Sequence, residues 1–238
     1  MTRFQLIEFS SDASLAAAAA SDCAQRLSGA PESGKFLLAL SGGRIARRFC
    51  AELTEAGRRQ GSKFPGTHFF WADERCVPPT DAESNFGIAQ AALFHPLGIE
   101  PDRIHRIPGE CRPKEAASIA SAELNRLAPH STFGQPILDL ILLGMGEDGH
   151  VASLFPGEPE EAVASPESYR PVIASKPPPN RITMGYGVIG AAREVWVLAS
   201  GSGKETVLRQ SLESHSTTPL GRVLAARSMT RILTGLRL

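Results

Sequence analysis

Asp148 and His150 are the residue pair best suited to acid–base chemistry, because they stand two positions apart in the glycine-rich segment 144–150. An imidazole titrates near neutral pH and can take a proton from water as that water attacks a carbonyl carbon. A carboxylate two residues away could orient the ring or the water. A lone histidine is more often structural than catalytic, and we interpret the other histidines of the chain as structural or exposed.

Glycines and cations form a second pattern, which is suited to binding an anion. Short loops at 41–43, 73–75 and 201–204 carry Gly42, Gly43, Arg75 and Lys204, and Arg44 directly follows the first loop. Glycine lets backbone N–H groups approach an anion closely, a following helix N-terminus adds a favourable dipole, and Lys and Arg supply full charge. Each loop alone would be an ordinary turn or a solvated cation. Together they favour a small phosphorylated substrate.

Residue spacing argues against several other chemistries. Gly144, Gly146 and Gly149 match the G-x-G-x-x-G dinucleotide fingerprint, but Pro156 and Gly157 break the chain where that fingerprint needs a long helix. The 201–204 loop lacks the first glycine and the metal-binding hydroxyl of a Walker phosphate loop. No G-x-S-x-G elbow, H-E-x-x-H or C-x-x-C pattern occurs in the chain. We therefore predict neither a cofactor nor a metal.

The segments that must position these residues alternate between short apolar runs and longer helical stretches. We predict strands at 4–9, 36–40, 68–71, 103–107, 137–143, 171–175, 181–184 and 194–199. We predict helices at 12–27, 45–60, 84–95, 113–127 and 203–212. This alternation is typical of an α/β fold with a mainly parallel sheet flanked by helices. The loops named above then follow strand ends, where open parallel sheets bind their ligands.

The composition is that of an ordinary globular protein, with 25 Lys+Arg against 25 Asp+Glu among 238 residues. This balance, without blocks of like charge, argues against nucleic-acid binding and a polybasic membrane anchor. No apolar run approaches the ~18 residues of a membrane span, and the N-terminus lacks a secretory pattern. We predict one domain over residues 1–238, located in the cytoplasm; a monomer is compatible with this composition.

The sequence resembles the 6-phosphogluconolactonases, the lactonase branch of the glucosamine/galactosamine-6-phosphate isomerase superfamily, over most of the chain. The segments that carry the resemblance are LSGG at 40–43, WADERCVP at 71–78 with Ser84 and Asn85 downstream, LGMGEDGHVASLFPG at 143–157, RIT at 181–183, and GSGK at 201–204. The 143–157 block is the most specific of them. Its 152–157 part resembles the lactonases rather than the related glucosamine-6-phosphate deaminases.

The resemblance implies a Rossmann-like α/β fold, as in the glucosamine-6-phosphate deaminases and ribose-5-phosphate isomerases, and a sugar-phosphate lactone as substrate. It implies hydrolysis of 6-phosphogluconolactone without a cofactor, with His150 as general base and Asp148 positioning the water or the ring. The resemblance also implies a set of substrate-binding residues. These are Lys204 for the phosphate, Asp73 and Arg75 in the pocket, and Gly42, Gly43, Arg44 and Arg181.

The first loop departs from the family pattern, because Arg44-Ile45-Ala46 stands where relatives usually have Ser-Thr-Pro. We hypothesise that the charge of Arg44 replaces the two missing hydroxyl donors. Gly190 also stands where asparagine is common. Three alternatives follow: a glucosamine-6-phosphate deaminase/isomerase, a non-catalytic phosphosugar sensor with a degraded first loop, and a dinucleotide-binding protein.

Overall fold

The computed structural model describes residues 3–29 and 34–238; residues 1 and 2, which form part of the N-terminal pattern considered above, lie outside this range. The strands are β1 Phe4–Glu8, β2 Phe36–Leu40, β3 Thr67–Trp71, β4 Asp73–Arg75, β5 Leu140–Gly144, β6 Tyr169–Ile173, β7 Asn180–Met184, β8 Glu194–Ala199 and β9 Thr230–Thr234. The helices are α1 Asp12–Ser28, α2 Arg44–Gln60, α3 Asn85–Ala89, α4 His95–Leu97, α5 Pro113–Leu127, α6 Glu160–Val163, α7 Tyr186–Ala191, α8 Glu205–Leu212 and α9 Pro219–Ala225. A π-helical turn, Gln90–Phe94, joins α3 to α4, and a 3₁₀ turn occupies Pro101–Arg103.

The main sheet has six parallel strands in the order β1-β9-β8-β5-β2-β3. Its central strands are almost entirely apolar and buried, as a sheet covered on both faces requires. The chain leaves β2 toward β3 and leaves β5 toward β8, in opposite directions. The gap between the carboxyl ends of β2 and β5 is therefore the point at which such sheets bind ligands. The predicted α/β fold with a mainly parallel sheet is confirmed.

A second sheet of three antiparallel strands, β4-β7-β6, was not predicted. Residues 73–75, predicted as a loop, form β4 and pair with β7, so that Asp73 lies opposite Thr183 and Arg75 opposite Arg181. Three charged residues show no apolar alternation, and their partner strand is distant in sequence, so local patterning gives no signal for this pairing. The pairing brings two of the predicted binding arginines side by side.

The predicted strand at 103–107 is wrong. Its first residue ends the 3₁₀ turn, and the segment pairs with the main sheet only through an isolated bridge between Ile104 and Phe69, in which the His105 N–H donates to the Phe69 carbonyl at 2.8 Å. Two other strands are displaced from their predicted positions. They occupy Leu140–Gly144 and Tyr169–Ile173 rather than 137–143 and 171–175. No element was predicted beyond residue 212, where the structure has α9 and β9.

The helix predicted to stop before Pro96 continues past it to Leu97. Proline has no N–H to donate to the carbonyl four residues earlier, which belongs to Ala92. The Thr54 hydroxyl of α2 donates to that carbonyl instead, at 2.7 Å, and the π-helical turn lies at the same place. A side chain from another helix thus satisfies the carbonyl that the proline leaves free.

The core lies on both faces of the main sheet, with Trp71, Trp196 and Phe49 among its largest buried side chains. Helix α1 packs closely against α2 because its buried face is mostly alanine. In the described part of the chain no helix has the length and apolar character needed to cross a membrane. The assignment of residues 1–238 to one domain stays a prediction.

Candidate active site

All four predicted loops meet at one cavity of about 200 Å³ at the carboxyl ends of β2 and β5. Eight of the nine predicted site residues line it. They are Gly42, Gly43, Arg44, Asp73, Arg75, His150, Arg181 and Lys204. The ninth, Asp148, lines a neighbouring cavity that shares His150 and Arg181 with the first. The structure therefore brings the predicted residues together, whereas their individual roles stay predictions.

His150 and Asp148 form a hydrogen-bonded pair, with 2.5 Å between His150 Nδ1 and Asp148 Oδ1. The same carboxylate oxygen accepts the His150 backbone N–H at 3.2 Å. Partial burial raises the pKa of Asp148, but the charge of His150 and these hydrogen bonds outweigh it and hold the pKa below its usual value. An ionised carboxylate accepts a proton-bearing Nδ1, so the imidazole is oriented with Nε2 as its unprotonated nitrogen.

The loop around this pair is shaped by two glycines. A Cβ on Gly146 would lie 2.0 Å from His150 Cε1, so the absence of a side chain at 146 makes room for the imidazole. Gly149 has φ +80°, a conformation that favours glycine, and its carbonyl accepts the N–H of Leu220 in α9 at 3.1 Å. The 144–150 loop is therefore anchored by α9, a helix for which no prediction was made.

Arg44 and Lys204 lie together in the cavity, both close to Gly201. Arg44 is the first residue of α2, whose N-cap Gly43 has φ 90° and ψ 179°, a region open essentially to glycine alone. No side chain caps this helix, so its first N–H groups and its positive dipole are available to an anion. The Lys204 ammonium donates to the Met145 carbonyl at 2.5 Å. Burial and the charge of Arg44 lower the pKa of Lys204.

Neither Arg44 nor Lys204 makes an ion pair with a carboxylate among the described residues. Two cations close together in a cavity repel each other, and this repulsion adds to burial, the larger cause, in lowering the pKa of Lys204. A phosphate group between them would relieve it. This end of the cavity is accordingly suited to a doubly charged anion.

Arg75 and Arg181 are held by neighbouring groups before any ligand binds. Arg75 donates to the Glu83 carbonyl at 2.6 Å, and Arg181 donates through Nε to the Pro178 carbonyl at 3.1 Å. Burial, together with the adjacent charge of Arg75, lowers the pKa of Arg181. Their guanidinium groups are therefore fixed in direction, which reduces the entropy lost when they bind an oxygen atom.

Three buried residues to which no role was assigned from the sequence, Asn85, Ser153 and Glu74, lie next to Asp73. Asn85 and Ser153 donate hydrogen bonds to Asp73, and Glu74 supports α3 by accepting the backbone N–H groups of Asn85 and Phe86, both at 2.8 Å. Burial raises the pKa of Glu74 despite these bonds. Asn85 and Ser153 fall within the motifs quoted above, but only the fold shows that their side chains meet Asp73.

Within the described residues, no group of three or more His, Cys, Asp or Glu side chains is placed to hold a metal ion. The chemical groups at the cavity are an oriented imidazole, two arginines held by neighbouring groups, a lysine–arginine pair without a carboxylate partner, and an uncapped helix N-terminus. This set can bind a phosphorylated ligand and remove a proton from water next to it.

Comparison with known proteins gives consistent matches along the chain. The family described as "Glucosamine-6-phosphate isomerases/6-phosphogluconolactonase" matches residues 10–232. A 6-phosphogluconolactonase of Treponema pallidum is 39% identical over 186 residues, covering 77% of this chain and 75% of that protein. The human 6-phosphogluconolactonase is 36% identical over 228 residues, covering 91% and 84%. The solved 6-phosphogluconolactonase of Trypanosoma cruzi superposes with a TM-score of 0.83 at 26% identity, covering 97% of this chain and 94% of that one.

Proposed function

The chain belongs to the family of glucosamine-6-phosphate isomerases and 6-phosphogluconolactonases, and we propose that it hydrolyses 6-phospho-D-glucono-1,5-lactone to 6-phospho-D-gluconate. The observation that carries this proposal is the distribution of groups in the cavity. An oriented imidazole and two cations without carboxylate partners, Arg44 and Lys204, line the same cavity, as a substrate with a reactive ester and a phosphate requires.

The phosphate binds at the N-terminus of α2, between Arg44 and Lys204. The guanidinium and the ammonium supply charge, and the free N–H groups that follow Gly43 supply directed donors. Binding the phosphate there fixes the sugar ring relative to His150, so that a reaction between the lactone and a nearby water becomes effectively intramolecular.

The reaction is general-base hydrolysis. His150 Nε2 takes a proton from water while the water oxygen bonds to the lactone carbonyl carbon, and Asp148 stabilises the imidazolium that forms. When the tetrahedral intermediate collapses, the bond between that carbon and the ring oxygen breaks, and the proton passes to the departing oxygen. General-base catalysis contributes about 10²–10⁴-fold. A rate enhancement of this size can be the main catalytic contribution, because the lactone is an activated ester.

Acid release from freshly prepared lactone, corrected for spontaneous hydrolysis in buffer, tests the proposal. We expect His150→Ala to lower kcat by about 10²–10⁴-fold with little change in substrate affinity. His130→Ala is the matched control, because His130 is exposed and lies outside the cavity. If the wild-type protein binds the lactone but leaves its decay at the spontaneous rate, the protein is a sensor. Ammonia release from glucosamine 6-phosphate would instead identify a deaminase.

We also propose that the protein acts in the cytoplasm. All four cysteines are free thiols, and Cys23 and Cys50 are buried. Free cysteines are typical of proteins kept in a reducing compartment.

A further inference from the structure

Asn85 is 1% exposed, yet its side chain borders the cavity. Its amide nitrogen donates to the Asp73 carbonyl at 2.9 Å and to Asp73 Oδ1 at 3.3 Å. These two bonds define which end of the amide faces Asp73. The amide oxygen has no hydrogen-bond partner among the described residues. A buried acceptor without a donor is costly in a folded protein and calls for a functional explanation.

Ser153 holds the other oxygen of the same carboxylate. Its hydroxyl donates to Asp73 Oδ2 at 2.7 Å, while its backbone N–H donates to the Thr183 hydroxyl at 3.2 Å. Ser153 is fully buried and Asp73 is 5% exposed. Each carboxylate oxygen of Asp73 therefore has one neutral donor from the protein and an acceptor position left over. No lysine or arginine of the described residues forms an ion pair with it.

We propose that Asn85 and Ser153 are positioning residues that direct the Asp73 carboxylate at one hydroxyl of the sugar ring, and that the site selects its substrate by that hydroxyl. This inference rests on the proposed lactone hydrolysis. A neutral donor on each oxygen fixes the carboxylate without neutralising it, so its remaining acceptor capacity is offered to the ligand. A substrate that lacks the hydroxyl leaves a buried carboxylate under-bonded, which costs more than a missing contact at an exposed site.

The packing of Gly42 supports a positioning role for Asn85. A Cβ on Gly42 would lie 1.8 Å from Asn85 Oδ1 and 2.4 Å from its Cγ. The amide thus fills the space that any side chain at 42 would occupy. Asn85 therefore packs against the 41–43 loop on one side and donates to Asp73 on the other.

The test compares 6-phosphogluconolactone with its 2-deoxy, 3-deoxy and 4-deoxy analogues in the wild-type protein and in Ser153→Ala and Asn85→Ala. For one analogue we expect the wild type to lose roughly 10²-fold in kcat/KM. In both variants that penalty should shrink to about threefold, while kcat/KM for the full lactone falls about 5- to 30-fold. Ser153→Ala keeps the test informative if Asn85→Ala does not fold, because it removes a single buried hydroxyl.

Ser84→Ala is the matched control. Ser84 is a buried neighbour of Asn85, but its hydroxyl donates to Glu74 rather than to Asp73. A purely structural effect would appear equally in this variant, whereas a positioning effect leaves its deoxy-analogue penalty at the wild-type size. The inference is overturned if the wild type tolerates all three analogues, or if the penalty persists unchanged in Ser153→Ala. A wild type inactive on the full lactone overturns the proposed function instead.

Discussion

Glycine at position 146 is required by its neighbour rather than by a ligand. A methyl group there would overlap the His150 ring, at 2.0 Å from Cε1 and 2.1 Å from Nδ1. The added methyl group is attached to the backbone, whereas the imidazole is held by a side-chain hydrogen bond to Asp148. The overlap is therefore relieved by moving the imidazole away from its position in the cavity. The glycine at 146 thus determines where the His150 imidazole lies.

We therefore expect Gly146→Ala to fold and to lose about 10²-fold in kcat, since a displacement of about 1 Å at a reacting group costs that much. Gly144→Ala is the control, because a Cβ at 144 would meet nothing closer than the Gly42 carbonyl oxygen at 3.8 Å. Steady-state kinetics on the lactone, with circular dichroism to verify folding, measure both. Equal activities of the two variants would contradict the role assigned to the glycine.

Arg44 offers a second prediction at the scale of single residues. Removing its charge should weaken phosphate binding while leaving the oriented imidazole intact. We expect Arg44→Ala to raise KM about 5- to 30-fold, with kcat changed by less than about threefold. Arg47→Ala removes an exposed arginine from the same helix outside the cavity. A KM unchanged in Arg44→Ala, or raised equally in Arg47→Ala, would remove Arg44 from the phosphate site.

The helical segment from α3 to α4 illustrates how one element depends on another. Pro96 lies inside it, and the Ala92 carbonyl that a residue with an N–H could have bonded accepts the Thr54 hydroxyl at 2.7 Å. The hydroxyl is part-buried and comes from α2, the helix that presents Arg44 to the cavity. Satisfying this carbonyl therefore also fixes α2 against the α3–α4 segment.

Thr54→Val should lower the free energy of unfolding by about 1–3 kcal/mol, because it leaves a part-buried carbonyl without a donor. In a Pro96→Ala background the restored N–H can reach that carbonyl, so the same substitution should cost less than half as much. Urea unfolding of the four proteins in this double-mutant cycle measures the coupling. A Thr54→Val cost that is identical in both backgrounds would show that Pro96 is not the reason for the contact.

The strands of the fold differ in how far their own residues predict them. Strands β2, β5 and β8 are apolar runs bounded by glycine or polar residues, and such runs reveal themselves locally. Strand β4 is a charged tripeptide that exists because β7 pairs with it. The segment 103–107 contains two isoleucines but pairs with the sheet through one isolated bridge, between Ile104 and Phe69. Prediction was reliable where an element depends on its own residues and failed where it depends on a distant partner.

The same reasoning applies to the candidate site. His150, Lys204 and Arg44 were predictable because glycines and cations follow predicted strands. The contacts of Asn85 and Ser153 with Asp73 join residues 12 and 80 positions apart, and no local pattern announces them. Sequence therefore predicts the chemical groups at the cavity, whereas the structure is needed to find the side chains that orient them.

At the scale of the whole molecule, a chain of polar side chains connects the main sheet to α5 on the side away from the cavity. His68 on β3 lies 2.8 Å from His105 between Nδ1 and Nε2, and His105 Nδ1 lies 2.8 Å from the Glu123 carboxylate. When both imidazoles are neutral, a single proton arrangement satisfies both contacts, with each ring protonated at Nδ1. Protonating both rings fully would set the His68 Nδ1–H and the His105 Nε2–H against each other.

This arrangement predicts acid sensitivity. Burial and the neighbouring His105 lower the pKa of His68 to about 4, and burial lowers the pKa of His105 although Glu123 acts to raise it. The unfolded chain, with histidines near 6.5, binds more protons than the folded one between these values, so the free energy of unfolding falls as pH drops from 6.5 to 4. For His68 we expect a loss of about 2 kcal/mol over that window.

Urea unfolding at pH 7 and pH 4 should show this loss reduced in His68→Phe and retained in His130→Phe, which alters an exposed ring. The chain of polar side chains lies on α5 and β3, whereas the groups proposed to react lie beyond β2 and β5. We therefore expect His68→Phe to reduce the acid-induced loss of stability and to leave the pH profile of kcat unchanged. A shift of that profile in His68→Phe would contradict the separation of the two regions.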